Sequence, residues 1–136
     1  MAALTLRALG RAPAVVRRRV LANVLGRADH AFNRGDMDAI VALLAIDVEY
    51  VPPSPLYDGP SILGREAVRE FWREVAARFQ ESRITNLAIE EAAPSRFVRM
   101  ADLLHRDDQH ELRYRIRQTS ELEKGWVIRQ VNELLA

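Results

Sequence analysis

The stretch Asn33-Arg34-Gly35-Asp36-Met37-Asp38-Ala39-Ile40-Val41-Ala42-Leu43-Leu44-Ala45-Ile46-Asp47-Val48-Glu49-Tyr50 packs a helix end, a turn, a second helix and a strand into one short run. Gly35 suits the left-handed position just past a helix. Asp36 can accept hydrogen bonds from the first free amides of the helix that follows. That helix reads as short and very apolar, Met37 to Ala45, with Ile40, Val41, Leu43 and Leu44. Asp47 to Val51 then alternates and carries β-branched residues, the pattern of a strand. Pro52, Pro53 and Pro55 end it, because proline cannot donate to a sheet ladder.

Upstream, from about Ala14 to Phe32, Leu21, Val24, Leu25, Ala28 and Phe32 recur at three- and four-residue steps, one face of an amphipathic helix. Downstream, a loop through Leu56-Tyr57-Asp58-Gly59-Pro60 leads to a third helix from about Arg65 to Phe79. Its stripe is Val68, Phe71, Trp72, Val75 and Phe79, with charges opposite. The last third changes period. Residues 84–91, 96–106, 110–122 and 126–134 read as four strands, with turns at Ala92-Ala93-Pro94-Ser95, Arg106-Asp107-Asp108-Gln109 and Glu123-Lys124-Gly125. Helices gathered ahead of an antiparallel meander indicate an α+β domain, not a parallel α/β sheet.

A chain of 136 residues fits one domain with a real core. It has no cysteine, so disulfides, thiolate metal sites and a cysteine nucleophile are excluded. No apolar run approaches the roughly 18 residues of a membrane span. A cytoplasmic location is the expectation. Six arginines and no acid lie in residues 1–28, which leaves 14 basic and 19 acidic residues in the remainder, a net of −5. A nucleic-acid-binding domain would carry its cations on the folded body; this body is acidic, so neither a nucleic-acid nor a membrane partner is expected. Residues 1–13 read as a basic extension and 14–136 as the domain. The Arg-rich start is also the composition of a mitochondrial transit peptide, and could instead meet an acidic partner or surface. One lysine against 19 arginines is the usage of a GC-rich, bacterial genome.

A hairpin centred on Asp108-Gln109 sets Arg106 opposite Glu111, Asp102 opposite Arg115 and Met100 opposite Arg117, so that opposite charges meet. Met100, Asp102, Leu104, Arg113, Arg115 and Arg117 then share one face. The other face carries Phe97, Arg99, Ala101, Leu103 and His105 from one strand. Leu112, Tyr114, Ile116 and Gln118 join them from the next, and this more apolar face should cover the helices. The arginine-striped face is either solvated or a sheet-to-sheet contact; a homodimer through it is expected, since Met100 and Leu104 would otherwise be exposed.

The order helix, helix, strand, helix, four strands resembles the nuclear transport factor 2-like plan. Asn33 to Tyr50, quoted above, resembles the opening of ketosteroid isomerases and SnoaL-like polyketide cyclases. Gly64-Arg65-Glu66-Ala67-Val68-Arg69-Glu70-Phe71-Trp72 resembles their third helix. The likeness spans roughly residues 20–134. It implies a cone-shaped, cystatin-like α+β fold, with three helices packed on a curved, mainly antiparallel sheet. It also implies an internal pocket for a small, largely apolar or mixed-polarity molecule. The superfamily holds isomerases, cyclases, dehydratases, epoxide hydrolases and non-catalytic binders, so fold does not settle function. Carried over residue by residue, the isomerase chemistry is missing. The general-base position falls on Pro52, the oxyanion tyrosine on Ala28, the second oxyanion donor near Gln118 and the supporting phenol on Trp72. The chain is therefore not expected to be a ketosteroid isomerase.

The same alignment turns Phe32, Tyr50, Trp72, Arg99, His105 and Tyr114 inward, with Gln118, Gln130 and Asn132, while Leu56 and Tyr57 could close the mouth. Trp72 on a helix stripe reads as core before ligand contact. Buried Tyr50 and Tyr114 need hydroxyl partners, from protein or substrate alike. The three amides cost free energy unless hydrogen-bonded; they could grip a carbonyl or satisfy one another. Arg99 inside the cone would need a carboxylate; with a one-residue slip it is simply exposed. His105, near the hairpin tip, reads as a solvated rim histidine before an acid or base. His30, His105 and His110 are dispersed, so no metal is expected, and no phosphate loop or GxSxG elbow points to a cofactor or acyl-enzyme. Two functions remain open. One is a cofactor-independent isomerase, cyclase or hydrolase, which lacks an inward carboxylate because Asp47, Glu49 and Asp102 have outward parity. The other is a non-catalytic ligand-binding or dimerisation module.

Overall fold

The computed structural model describes residues 14–135. Helix α1 (Ala14–Arg34) buries Leu21 and Val24 of the expected stripe, leaves Leu25, Ala28 and Phe32 half-buried, and also buries Ala31. It ends at Gly35, whose φ of 73° is the left-handed conformation glycine tolerates. Asp36 caps helix α2 (Met37–Ile40) by accepting from the Ala39 amide at 3.1 Å. That helix is a single turn and does not run on to Ala45. Strand β1 (Leu44–Val51) begins instead where the helix was expected to continue. Partners elsewhere decide this. The Val127 amide donates to the Leu43 carbonyl at 2.8 Å, and Arg65 Nε donates to the Leu44 carbonyl at 2.8 Å.

A two-residue strand, β2 (Ile62–Leu63), pairs antiparallel with β1 and had no counterpart in the sequence reading. Helix α3 (Arg65–Arg78) buries Val68, Phe71, Trp72 and Val75, the face its periodicity defined. Strands β3 (Glu81–Ala93), β4 (Arg96–Arg106), β5 (Glu111–Glu123) and β6 (Trp126–Leu135) form the meander. The sheet order is β2-β1-β6-β5-β4-β3, with β1 parallel to β6 and every other pair antiparallel.

The β4–β5 register sets Arg106 against Glu111, Asp102 against Arg115 and Met100 against Arg117, as the charge pattern required. Arg115 Nε donates to Asp102 at 2.7 Å on the outer face. The opposite parity puts Phe97, Arg99, Ala101, Leu103 and His105 in the interior, with Tyr114, Ile116 and Gln118 beside them. Register shifts near Leu87, Ala92 and Leu122 bend the long strands, as an extra residue in one strand does. Helix α1 lies along β3, held where Asn33 Oδ1 accepts from the Ile84 amide at 2.8 Å and where Arg17 meets Glu91 at 3.0 Å. The main core fills the space between α3 and the sheet; a smaller cluster of Leu21, Val24 and Phe97 sits under α1.

Candidate functional site

A buried chain of polar groups crosses the interior from helix to sheet. Arg99 on β4 donates through Nη1 to both carboxylate oxygens of Asp29 on α1, at 2.8 and 2.9 Å. Its Nε donates to Gln118 Oε1 on β5 at 2.7 Å. Gln118 Nε2 donates to Asn132 Oδ1 on β6 at 2.9 Å, and Asn132 Nδ2 donates to the Val51 carbonyl of β1 at 2.9 Å. Five elements are thus tied by four side chains. The Arg99 and Asp29 side chains are only 8% and 13% exposed. Removing charges this far from water is costly, so each needs the other. Burial pushes the Asp29 carboxyl above its usual range, while Arg99 pulls it back.

Tyr50 sits beside this chain at the end of β1. Trp72 of α3 and Asn132 present N–H groups to its hydroxyl. Burial pushes the phenol well above its ordinary range, so it stays protonated and can donate. Among the described residues no acceptor is paired with that O–H, nor with Nη2 of Arg99. Both residues border an internal cavity in which the centre of a water molecule can range over about 100 Å³. Leu21, Val24, Leu25, Phe97 and Leu122 give it an apolar end.

Of the residues singled out in the sequence, Phe32, Tyr50, Trp72 and Arg99 line this cavity together with Gln118, Gln130 and Asn132. Trp72 packs edge-on against Phe32, with ring centroids 5.1 Å apart. Gln130 donates to Ser120 at 3.0 Å. Leu56 and Tyr57 lie elsewhere. They border a separate depression with Phe71 and Ile62.

His105 and Tyr114 do not reach the cavity either. His105 is fully buried, not a rim histidine. Its Nδ1 is 2.7 Å from Ser82 Oγ and its Nε2 is 2.7 Å from the Tyr114 hydroxyl, so a neutral ring is satisfied on both sides. Burial, helped by Arg78, pushes the imidazole down to about 4. The sequence reading missed the strand above it: β3 starts at Glu81, and Ser82 pairs with His105.

The residue that sequence reasoning missed is Asp29. Asp47, Glu49 and Asp102 point outward as expected; Glu49 meets Arg129 at 3.2 Å and Asp102 meets Arg115. The inward carboxylate comes from α1 instead. The one signal for it was its spacing: Asp29 follows Leu25 by four residues and precedes Phe32 by three, which puts it at the edge of the apolar stripe, where the pattern alone does not choose inside from outside.

The fold has counterparts among solved structures. A nuclear transport factor 2-like protein of unknown function from Burkholderia pseudomallei superposes with a TM-score of 0.71 at 20% identity, over 84% of this chain and 89% of that one. TerC, co-crystallised with polyporic acid, matches at a TM-score of 0.67 and 17% identity, over 84% of this chain and 88% of that one. An epoxide hydrolase of the LEH-like kind from Mycobacterium tuberculosis matches at 0.67 and 13%, over 83% and 80%. At such identities the likeness speaks for the fold: α+β, nuclear transport factor 2-like and cystatin-like. No curated protein matches the sequence. The model of the SnoaL-like domain matches residues 26–129, and the chain belongs to the SnoaL-like domain family.

Proposed function

We propose that the cone binds a small, largely apolar molecule carrying a polar oxygen, and that the chain is a cofactor-independent acid–base enzyme of the isomerase, cyclase or hydrolase kind. The observation that carries this reading is that a carboxylate, Asp29, and a phenol, Tyr50, that stays protonated both line one apolar hollow. An apolar cavity with a few convergent polar groups is what small-molecule sites look like. A carboxylate whose proton affinity is raised by burial and a phenol held protonated suit a base and a donor. Asp29 would take a proton from the substrate or from a water, and Tyr50 would donate to the oxygen where charge develops.

One observation favours a second reading, non-catalytic binding. Both Asp29 oxygens are held by Arg99, which lowers the basicity a general base needs. Turnover separates the two readings. The protein is incubated with 2-octanone in D2O, read by loss of the α-proton signals, and with 1,2-epoxyoctane, read by diol formation. Turnover of either probe that is lost in Asp29→Asn and in Tyr50→Phe supports the enzyme. Binding with no turnover supports the module, and neither binding nor turnover sinks both.

We also propose that two copies meet through the outer sheet face. What supports this is Met100, 36% exposed, amid Arg113, Arg115 and Arg117. Sedimentation equilibrium should give a dimer that Met100→Glu converts to a monomer; a monomeric wild type would dismiss the idea.

A further inference from the structure

We infer that Asp29 sets the charge selectivity of the cavity. The site takes neutral molecules whose polar head is a hydrogen-bond-accepting oxygen, such as a ketone, and turns away carboxylates of the same chain length. The inference rests on the ligand-binding reading above and names the class of ligand.

Asp29 and Arg99 are the charged side chains among the described residues lining the cavity. They cancel one another at 2.8 and 2.9 Å. An arriving carboxylate would therefore find the guanidinium already matched and a second carboxylate beside it. It would give up its hydration without gaining a counter-charge, and like charges at close range repel. A carbonyl oxygen gives up far less on leaving water. It meets two donors to which no acceptor is paired among the described residues, the Tyr50 hydroxyl and Nη2 of Arg99. Its alkyl part finds the cluster of Leu21, Val24 and Phe97, packed with Leu25, Ile89 and Leu122.

The positive potential of Arg99 is thus present but masked, and a single substitution should unmask it. In Asp29→Asn the guanidinium loses its counter-ion while staying hydrogen-bonded to Gln118, and the hollow becomes a carboxylate site. In the double variant Asp29→Asn/Arg99→Gln it is uncharged again.

The test is a calorimetric titration of the full chain with 2-octanone and with sodium octanoate at neutral pH. Wild type should bind 2-octanone at least about tenfold more tightly than octanoate, and Asp29→Asn should raise octanoate affinity by at least about tenfold. Octanoate should also raise the melting temperature of Asp29→Asn, a readout that survives if the substitution weakens the fold. The double variant should lose the octanoate gain. Equal affinity of wild type for both probes overturns the inference and leaves the pocket reading standing. So does an octanoate-to-octanone ratio that Asp29→Asn does not change. If wild type takes up neither probe, the ligand-binding reading itself fails.

Discussion

Arg99 is the residue on which the interior turns. The sequence left its guanidinium inward or, with a one-residue slip of the hairpin, exposed; the β4–β5 register is the charge-paired one and turns it inward. Its carboxylate partner was not legible, because a helix stripe has an edge and Asp29 sits on it. In the fold that edge meets Arg99 of β4. Breaking a buried pair leaves an uncompensated charge, so Arg99→Leu should cost about 3–5 kcal/mol in urea unfolding. Adding Asp29→Leu should recover much of that loss, a coupling that a double-mutant cycle reads directly. Single losses that simply add would contradict the pairing. His105 is a second buried group with a consequence for pH. Its folded-state value of about 4 lies below the ordinary value near 6.5. The fold binds fewer protons than the unfolded chain in that interval. Stability is therefore whole above pH 6.5 and falls as the pH drops toward 4, by up to about 1.4 kcal/mol per pH unit. Asp29, raised in the fold, acts in the opposite sense. His105→Gln should flatten the loss between pH 6.5 and 4.5; an unchanged slope would exclude the histidine as its source. The sequence made His105 a rim residue because it lies close to the hairpin tip, and the sequence reading starts the strand only at residue 84. Phe79 and Ser82 cover it once β3 begins at Glu81.

At the scale of elements, α3 was the easiest to read. Its apolar residues recur at helical spacing, and Val68, Phe71, Trp72 and Val75 are the ones buried. Phe71 touches Trp72, Tyr50 and Tyr57 with its ring, at centroid distances of 5.0, 6.4 and 5.8 Å. Phe71→Ala should therefore cost about 3–5 kcal/mol in thermal or urea unfolding. A loss under about 1 kcal/mol would mean that this contact is not part of the core. The start of β1 was misread for a physical reason. The apolar run from Ile40 to Leu44 satisfies a helical period and a buried strand equally, so local pattern cannot choose. Long-range hydrogen bonds from Val127 and Arg65 make the choice. Strand β2 has two residues and offers no period to detect.

In the whole molecule, a curved six-stranded sheet holds three helices against one face, and the polar chain from Asp29 to Val51 braces that face from within. The brace and the hollow are one feature, since the side chains that tie α1, β4, β5, β6 and β1 also furnish its polar wall. Sequence reading anticipated the cone from the order of elements, and anticipated Gln118 and Asn132 as inward amides. It left open whether they satisfy each other or await a ligand, and they do the first while still bordering the cavity. The decisive observation would be a crystal structure of the protein grown with 2-octanone. The account predicts density for the ketone in the hollow, its oxygen at about 2.7–3.2 Å from the Tyr50 hydroxyl or Arg99 Nη2 and its chain against Leu21, Val24 and Phe97. A hollow closed by the protein's own side chains, with no ketone inside, would contradict it.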